Sequence, residues 1–146
     1  MKKYYLIGIG GAVGALLRFQ IKSIPDLFNS PDQLINIALN ILLINIIGSF
    51  LLGFLNTLFS QTDRISVDIK LGFTTGLIGA FTTFSTFCKE SIMIINAGYY
   101  SFFVFYLFAS LSLGVLLVYM GHLLATYFVY PFVSSSLAKN SDIEHS

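Results

Sequence analysis

The sequence predicts an all-α integral membrane protein with four transmembrane helices, and three observations carry this prediction. Only 10% of the 146 residues are charged and 55% are hydrophobic, whereas soluble domains usually carry about 25% charged residues. Four stretches lack any formal charge, and each approaches or exceeds the roughly 20 residues that a helix needs to cross a bilayer. These stretches are continuously apolar rather than alternating, which favours helices over barrel strands. The stretches are residues 4–17, 33–62, 71–88 and 91–138.

Turn signals divide the chain into four predicted helices. A loop rich in Pro, Asn, Ser and Asp separates the first two helices, and a polar link separates the second from the third. Ala97-Gly98 predicts a tight turn before the last helix, which Pro131 ends. The polar segment 134–146 is expected to be a disordered tail outside a membrane domain of residues 1–133. The predicted helices are residues 4–21, 34–59, 70–96 and 99–128.

The middle of the third helix has an unusual composition. Its segment GAFTTFSTF, residues 79–87, interleaves four hydroxyl side chains with three phenylalanines. Glycine, β-branched and hydroxyl residues are poor helix formers, so we expect the helix to break here. A break would expose backbone carbonyls at mid-membrane, where protein groups, water or an ion must satisfy them. The alternative is an intact helix that packs through its hydroxyl groups.

Glycines cluster in the first and third helices. Gly10 and Gly14 form one GxxxG pair, and Gly72 and Gly76 form another. Such pairs let two helix backbones approach closely within a membrane. The sequence therefore predicts close contact at both faces.

A few polar side chains lie within the predicted helices. Arg18 and Glu90 would lie toward the same side of the membrane, either at the helix ends or around a shared water-filled vestibule that attracts anions. Asn45 lies well inside the second helix, where its amide would bond to another helix or donate to a passing anion. Tyr106 and Ser110 share one face of the fourth helix, which serves either packing or a polar track.

Three segments together resemble the Fluc fluoride channels, also called the CrcB family. They are GGAVGALLRF at residues 10–19, NIIGSFLLG at residues 45–53, and GLIGAFTTFSTF at residues 76–87. The resemblance covers about residues 4–130, and the third segment is its most specific part. One departure is Asn40-Ile41, where the family often has Gly-Thr.

The resemblance implies a fluoride-specific channel in the cell membrane that passively lets fluoride out of the cytoplasm. It further implies an antiparallel, dual-topology homodimer with two pores. Phe84 and Phe87 would line the pore, Asn45 would donate to the ion, and Tyr106 and Ser110 would lie on a polar track. The hydroxyls of Thr83 or Thr86 would add donors. The backbone carbonyls of Gly79 and Thr82 would hold a structural sodium ion at the dimer interface, where four oxygens suit a hard cation.

Other functions fit the residues less well. A small proton-coupled multidrug or guanidinium exporter needs a membrane-buried carboxylate, and the first two predicted helices contain neither Asp nor Glu. A non-transporting membrane subunit would explain the glycine pairs but not the segment at 79–87.

The single cysteine, Cys88, excludes an internal disulfide. A net charge of +1 argues against nucleic-acid binding, and nothing indicates an enzyme.

Overall fold

The computed structural model describes residues 2–24, 28, 30–61 and 65–129. Within these residues, four helical segments are long and apolar enough to cross a membrane. The first two are α1 (Lys2–Lys22) and α2 (Gln33–Ser60), the third span runs over Val67–Asn96, and the fourth over Tyr100–Tyr127. The predicted four-helix membrane fold is thus confirmed, and the predicted tail lies outside the described residues.

The third span is divided, as the sequence predicts. It starts as α3 (Val67–Leu71), continues as a π-helix over Gly72–Ile78, and resumes as the short α4 (Gly79–Phe81). Thr82 and Thr83 are then extended, with ψ angles of 157° and 120°. The remainder of the span is α5 (Phe84–Asn96), and the fourth span contains α6 (Tyr100–Leu124) followed by a π-helical turn, Ala125–Val129.

Close glycine contacts hold α1 against the first half of the third span. A side chain at Gly10 would collide with the Gly72 carbonyl, and one at Gly14 with the Leu77 carbonyl. On the opposing surface, a side chain at Gly76 would meet the Ile7 carbonyl at 2.7 Å. The predicted close approach at both glycine pairs is therefore present. Because the obstructing atoms belong to the backbone, no rotamer change would make room for a side chain.

The second helix forms the centre of the bundle. In its apolar stretch 39% of the residues are buried, compared with 6% in the corresponding stretches of the first and fourth spans. It packs on α6 through a second pair of close approaches, because Gly53 lies against the Val118 carbonyl and Gly121 against the Phe50 carbonyl. The outer faces of α1 and α6 are consequently left to lipid or to another polypeptide.

The short connection between the third and fourth spans is a tight turn. Gly98 has a φ of 81°, a left-handed conformation that favours glycine. The turn is joined to the start of α2, because the Tyr99 hydroxyl donates to Asp32 Oδ2 at 2.6 Å. Asp32 also caps α2 by accepting a hydrogen bond from the Leu34 N–H at 2.8 Å. These contacts fix the ends of α2 and α5 relative to each other.

Candidate functional site

The backbone break near the middle of the third span changes the partners of two amide groups. In an unbroken helix the Thr83 N–H would bond to the Gly79 carbonyl and the Thr86 N–H to the Thr82 carbonyl. Here the Thr83 N–H donates to Asn45 Oδ1 at 2.8 Å, and the Thr86 N–H donates to Thr83 Oγ1 at 3.2 Å. The carbonyls of Gly79 and Thr82 therefore lose their usual helical donors.

Asn45 on α2 bridges directly to the break. Its Oδ1 accepts the Thr83 N–H at 2.8 Å, and its Nδ2 donates to the Thr83 carbonyl at 3.1 Å. The amide thereby satisfies both backbone groups of one extended residue, as a neighbouring strand would. The predicted interhelical hydrogen bond is present. An amide nitrogen carries two N–H groups, so one is left for another acceptor, and the role of Asn45 as an anion donor stays a prediction.

The hydroxyl groups predicted at the break form a local network. Thr83 Oγ1 donates to Thr86 Oγ1 at 3.0 Å and lies 3.4 Å from Ser85 Oγ. By accepting the Thr86 N–H it also caps the N-terminus of α5. Thr82 Oγ1 donates back to the Ile78 carbonyl at 3.0 Å. The Thr83 hydroxyl thus caps the helix that begins on the other side of the break.

A cleft of about 310 Å³ opens beside the break, between α2, α5 and α6. Five of the residues predicted for a pore line it, and so do five that the sequence reasoning did not place in a pore. The predicted residues are Asn45, Thr83, Phe84, Phe87 and Ser110; the others are Gly48, Ser49, Leu52, Thr82 and Leu111. Gly48 and Ser49 lie one helical turn after Asn45 on α2. Helical periodicity was therefore the signal that places them on the same side of α2 as Asn45.

Two phenylalanine rings form one wall of the cleft. Phe84 and Phe87 lie one helical turn apart on α5, with ring centroids 6.1 Å apart. Phe84 is 78% exposed, whereas Phe87 packs on the Tyr106 ring at a centroid distance of 4.9 Å. Phe84 therefore presents its ring to the cleft, and Phe87 connects the cleft to the bundle core.

The predicted polar face of α6 is only partly in the cleft. Ser110 lines it, and its Oγ donates to the Tyr106 carbonyl at 2.7 Å. Tyr106 is fully buried behind Phe87, and its hydroxyl has no partner among the described residues. A buried hydroxyl without a partner is costly, so Tyr106 marks a place where water or an ion would be stabilised. Thr86 lies beside Thr83 rather than in the cleft lining.

Arg18 and Glu90, predicted to share a vestibule, have different partners. Arg18 Nη1 lies 3.5 Å from the Thr82 carbonyl, so the guanidinium faces the break. Glu90 is only 2% exposed, and its Oε1 lies 3.5 Å from Lys22 Nζ. Sequence reasoning missed Lys22 as the cation facing Glu90. The signal was its position four residues after Arg18, on the same side of α1.

The predicted sodium ligands have chemistry that fits a hard cation. Among the described residues, no group of three His, Cys, Asp or Glu side chains could hold a metal ion. Gly79 is exposed, however, and its carbonyl and that of Thr82 have lost the amide donors of a regular helix. Carbonyl oxygens without a helical donor are suitable sodium ligands. The Arg18 guanidinium, which donates to the Thr82 carbonyl at 3.5 Å, would repel a cation there.

The four spans, the divided third span and its polar cleft define a multi-pass membrane protein with a mid-membrane site. Residues 5–122 match the family described as "CrcB-like protein, Camphor Resistance (CrcB)". The chain belongs to this CrcB family.

Its relatives match over most of their length. It is 39% identical over 119 residues to a "Fluoride-specific ion channel FluC 2" of Staphylococcus saprophyticus, covering 82% of this chain and 93% of the relative. It is 37% identical over 128 residues to a "Fluoride-specific ion channel FluC" of Bacteroides fragilis, covering 88% and 99%. A FluC of Thermosipho melanesiensis is 39% identical over 124 residues, covering 84% and 94%.

Proposed function

We propose that this protein is a fluoride-specific ion channel of the cytoplasmic membrane. It would let fluoride leave the cell passively, and it is not an enzyme. The relatives named as fluoride-specific channels support the choice of ion. The single observation that carries the proposal for this chain is the cleft at the break, where phenyl rings and polar side chains meet within a mainly apolar bundle.

The cleft residues have the chemistry that a bare fluoride ion needs. Fluoride is small and strongly hydrated, so a pore must replace its water with other donors. The positive edges of the Phe84 and Phe87 rings are one source. The second N–H of Asn45 is another. The hydroxyls of Ser110 and of Thr83 or Thr86 would add donors by turning toward the ion, and for this the Ser110 proton would leave the Tyr106 carbonyl and the Thr83 proton would leave Thr86 Oγ1. Tyr106, whose hydroxyl is buried without a partner among the described residues, extends the polar track from the cleft. A narrow pore lined in this way would exclude the larger chloride ion.

The protein would act as an antiparallel homodimer. Phe84, at the cleft, is 78% exposed in the single chain, and apolar residues on the outer faces of α1 and α6 are exposed as well. A second copy would close the cleft and separate the permeating ion from lipid. In an antiparallel dimer the two-fold axis lies in the membrane plane at mid-depth, which is where the break of the third span lies.

A structural sodium ion would bind on that axis. Gly79 and Thr82 of each copy would hold it through their backbone carbonyls, giving four oxygen ligands in all. When bound, the ion would supply positive charge that ties the two breaks together.

Fluoride efflux from liposomes that contain only the purified protein tests the channel proposal. We expect fast fluoride efflux on a fluoride electrode and little chloride efflux from chloride-loaded vesicles. Phe84→Ile should abolish the fluoride signal because it removes a ring edge from the cleft. Phe108→Ile is the matched control, since Phe108 is a 62% exposed residue of α6 outside the cleft lining. A folded wild-type protein without fluoride efflux would contradict the proposal.

The proton-coupled exporter predicts a different outcome in the same vesicles. Fluoride would not leave, whereas guanidinium would accumulate only when a proton gradient is imposed. Glu90→Gln would abolish that accumulation, because Glu90 is the buried carboxylate of the third span.

A further inference from the structure

A second cavity lies at the end of the bundle where α1 meets α2. Its volume is about 460 Å³, and since a water molecule occupies about 30 Å³ in the liquid, an anion with several waters would fit. The cavity is largely polar on the side of Lys22, Ser30 and Asn40. No motif of the family resemblance includes Lys22, and Asn40 is the place where this chain departs from the family pattern.

Asn40 fixes the end of α1 beside this cavity. Its Nδ2 donates to the Ile24 carbonyl at 3.0 Å and to the Lys22 carbonyl at 3.5 Å. Asn40 borders the cavity and is 1% exposed, and its Oδ1 is buried without a hydrogen-bond partner among the described residues. A buried amide oxygen requires a donor. Asn40 therefore holds the end of α1, which carries Lys22, beside the cavity.

The Lys22 side chain lines the cavity and is partly exposed, although its carboxylate partner is buried. The Lys22 side chain is 34% exposed and that of Glu90 is 3% exposed, with 3.5 Å between Nζ and Oε1. That distance is long for a charge-assisted hydrogen bond. An ammonium has three N–H donors, so Lys22 is able to bind a second anion from the cavity side.

The ion pair stands between the cavity and the cleft. Glu90 lies three residues after Phe87 on α5, so both side chains are on neighbouring turns of one helix face. Arg18 is directed to the Thr82 carbonyl at the break rather than to Glu90. The cation paired with the buried carboxylate is therefore Lys22, one turn of α1 closer to the helix end.

We propose that Lys22 is a binding site for a hydrated monovalent anion, where fluoride is captured before it enters the cleft, and that Glu90 competes internally for its ammonium. This inference rests on the proposed function, which supplies the reason for an anion to pass. An unpaired cation would bind fluoride too tightly for release. A cation that is shared with a carboxylate binds fluoride weakly enough to release it.

Fluoride efflux measured from limiting to saturating concentration tests this assignment. We expect Lys22→Gln to raise the half-saturating concentration at least about tenfold, the low end of the effect of charge on local ion concentration. Lys22→Arg, which keeps the charge, should stay near wild type and shows that the site tolerates a substitution. Lys89→Gln is the matched control, because Lys89 is an exposed lysine next to Glu90. Equal half-saturating concentrations for Lys22→Gln and Lys89→Gln would overturn the proposal.

The competition between Glu90 and the anion has its own test. Glu90→Gln keeps the side-chain shape and frees the ammonium, so it should lower the half-saturating concentration by roughly threefold. In the Lys22→Gln background the same change should have no such effect, because the two residues act on one interaction. An equal effect in both backgrounds would show that Glu90 does not act through Lys22.

Equilibrium dialysis separates failure of this site from failure of the channel. Detergent-solubilised protein is dialysed against fluoride, and bound ion is read with a fluoride electrode. If wild type conducts but Lys22→Gln binds and conducts like Lys89→Gln, only the Lys22 site is wrong. If wild type does not conduct, the channel proposal fails. The Lys22 site then stands if Lys22→Gln still weakens fluoride binding, and falls if it does not.

Discussion

The two halves of the third span contact the bundle in opposite ways. The first half meets α1 backbone to backbone, because Gly14, Gly72 and Gly76 provide no side chains to separate the helices. The second half meets α2 and α6 through side chains, with Asn45 at the break and Phe87 against Tyr106. Backbone contact positions the two helices rigidly but supplies no side chains that could bind an ion. Side-chain contact leaves a cleft and supplies the groups that fill it, so one helix both anchors and lines the site.

Substitution of Gly14 should disturb the first half most strongly. A Cβ at Gly14 would collide with the Leu77 carbonyl, and backbone atoms cannot move aside as a side chain does. We expect Gly14→Val to cost at least about 3 kcal/mol, the upper end of ordinary overpacking. Denaturant titration in mixed micelles would measure the free energy of unfolding. Gly8→Ala is the control, since nothing lies within 4 Å of its Cβ; equal stability of the two variants would refute backbone-limited packing.

Removal of the Asn45 amide should have the next largest effect. Asn45→Ala leaves both the N–H and the carbonyl of Thr83 without their side-chain partner. At about 1–3 kcal/mol for each unsatisfied group, a loss of roughly 2–6 kcal/mol is expected.

Hydrogen exchange locates this loss within the molecule. The Thr83 amide should exchange much faster in Asn45→Ala, while amides of α1 keep their protection. Asn56→Ala is the matched control, because Asn56 is exposed on the same helix and should change stability by less than about 0.5 kcal/mol. Unchanged exchange at Thr83 would mean that the amide does not hold the break.

The two phenylalanines of the cleft should separate function from stability. Phe87 packs on Tyr106, so Phe87→Leu should cost about 0.5–1.5 kcal/mol for the lost aromatic pair. Phe84 is 78% exposed, so Phe84→Leu should cost less than about 0.5 kcal/mol yet reduce fluoride efflux. Unfolding and efflux of both variants would be compared in the same lipid. A Phe84 variant that loses stability but keeps efflux would reverse the assignment.

The smallest effect is expected at the turn after α5. The Tyr99 hydroxyl, and after it the Leu34 N–H, hold the pKa of Asp32 below its ordinary value of 3.8. A lowered carboxylate pKa stabilises the fold above the ordinary value, and this contribution is lost as the pH falls through the lowered pKa. Tyr99→Phe should therefore slightly lower the unfolding temperature at pH 7, with the difference vanishing well below pH 3.8. Tyr100→Phe should show no pH-dependent difference.

Local composition made much of this fold predictable. Long charge-free stretches set the four spans, because lipid excludes unpaired charge and irregular backbone. The break was predictable from the hydroxyl and β-branched residues at 79–87, and the structure places it at Thr82 and Thr83. The glycine contacts were predictable because a GxxxG pair has few other uses between membrane helices.

Pairings between distant residues were less predictable. The Asn45 bridge joins residues 38 apart in sequence, and both of its possible roles fit the residue type equally well. The Lys22–Glu90 pair was missed because two cations follow each other by one turn on one face of α1. Only the axial position of α5 along α1 decides which of them faces the carboxylate. No pattern in the sequence predicted the π-helix at Gly72–Ile78.

The Asn45 bridge also has a consequence for biogenesis. The third span by itself would enter the bilayer with two backbone groups of Thr83 unsatisfied at mid-depth, a costly arrangement in hydrocarbon. The amide that relieves this cost belongs to α2, which the ribosome completes before the third span emerges. Chain order thus places the supporting residue in the membrane ahead of the irregular segment. The newly made third span is able to adopt its broken shape against a helix that is already in place.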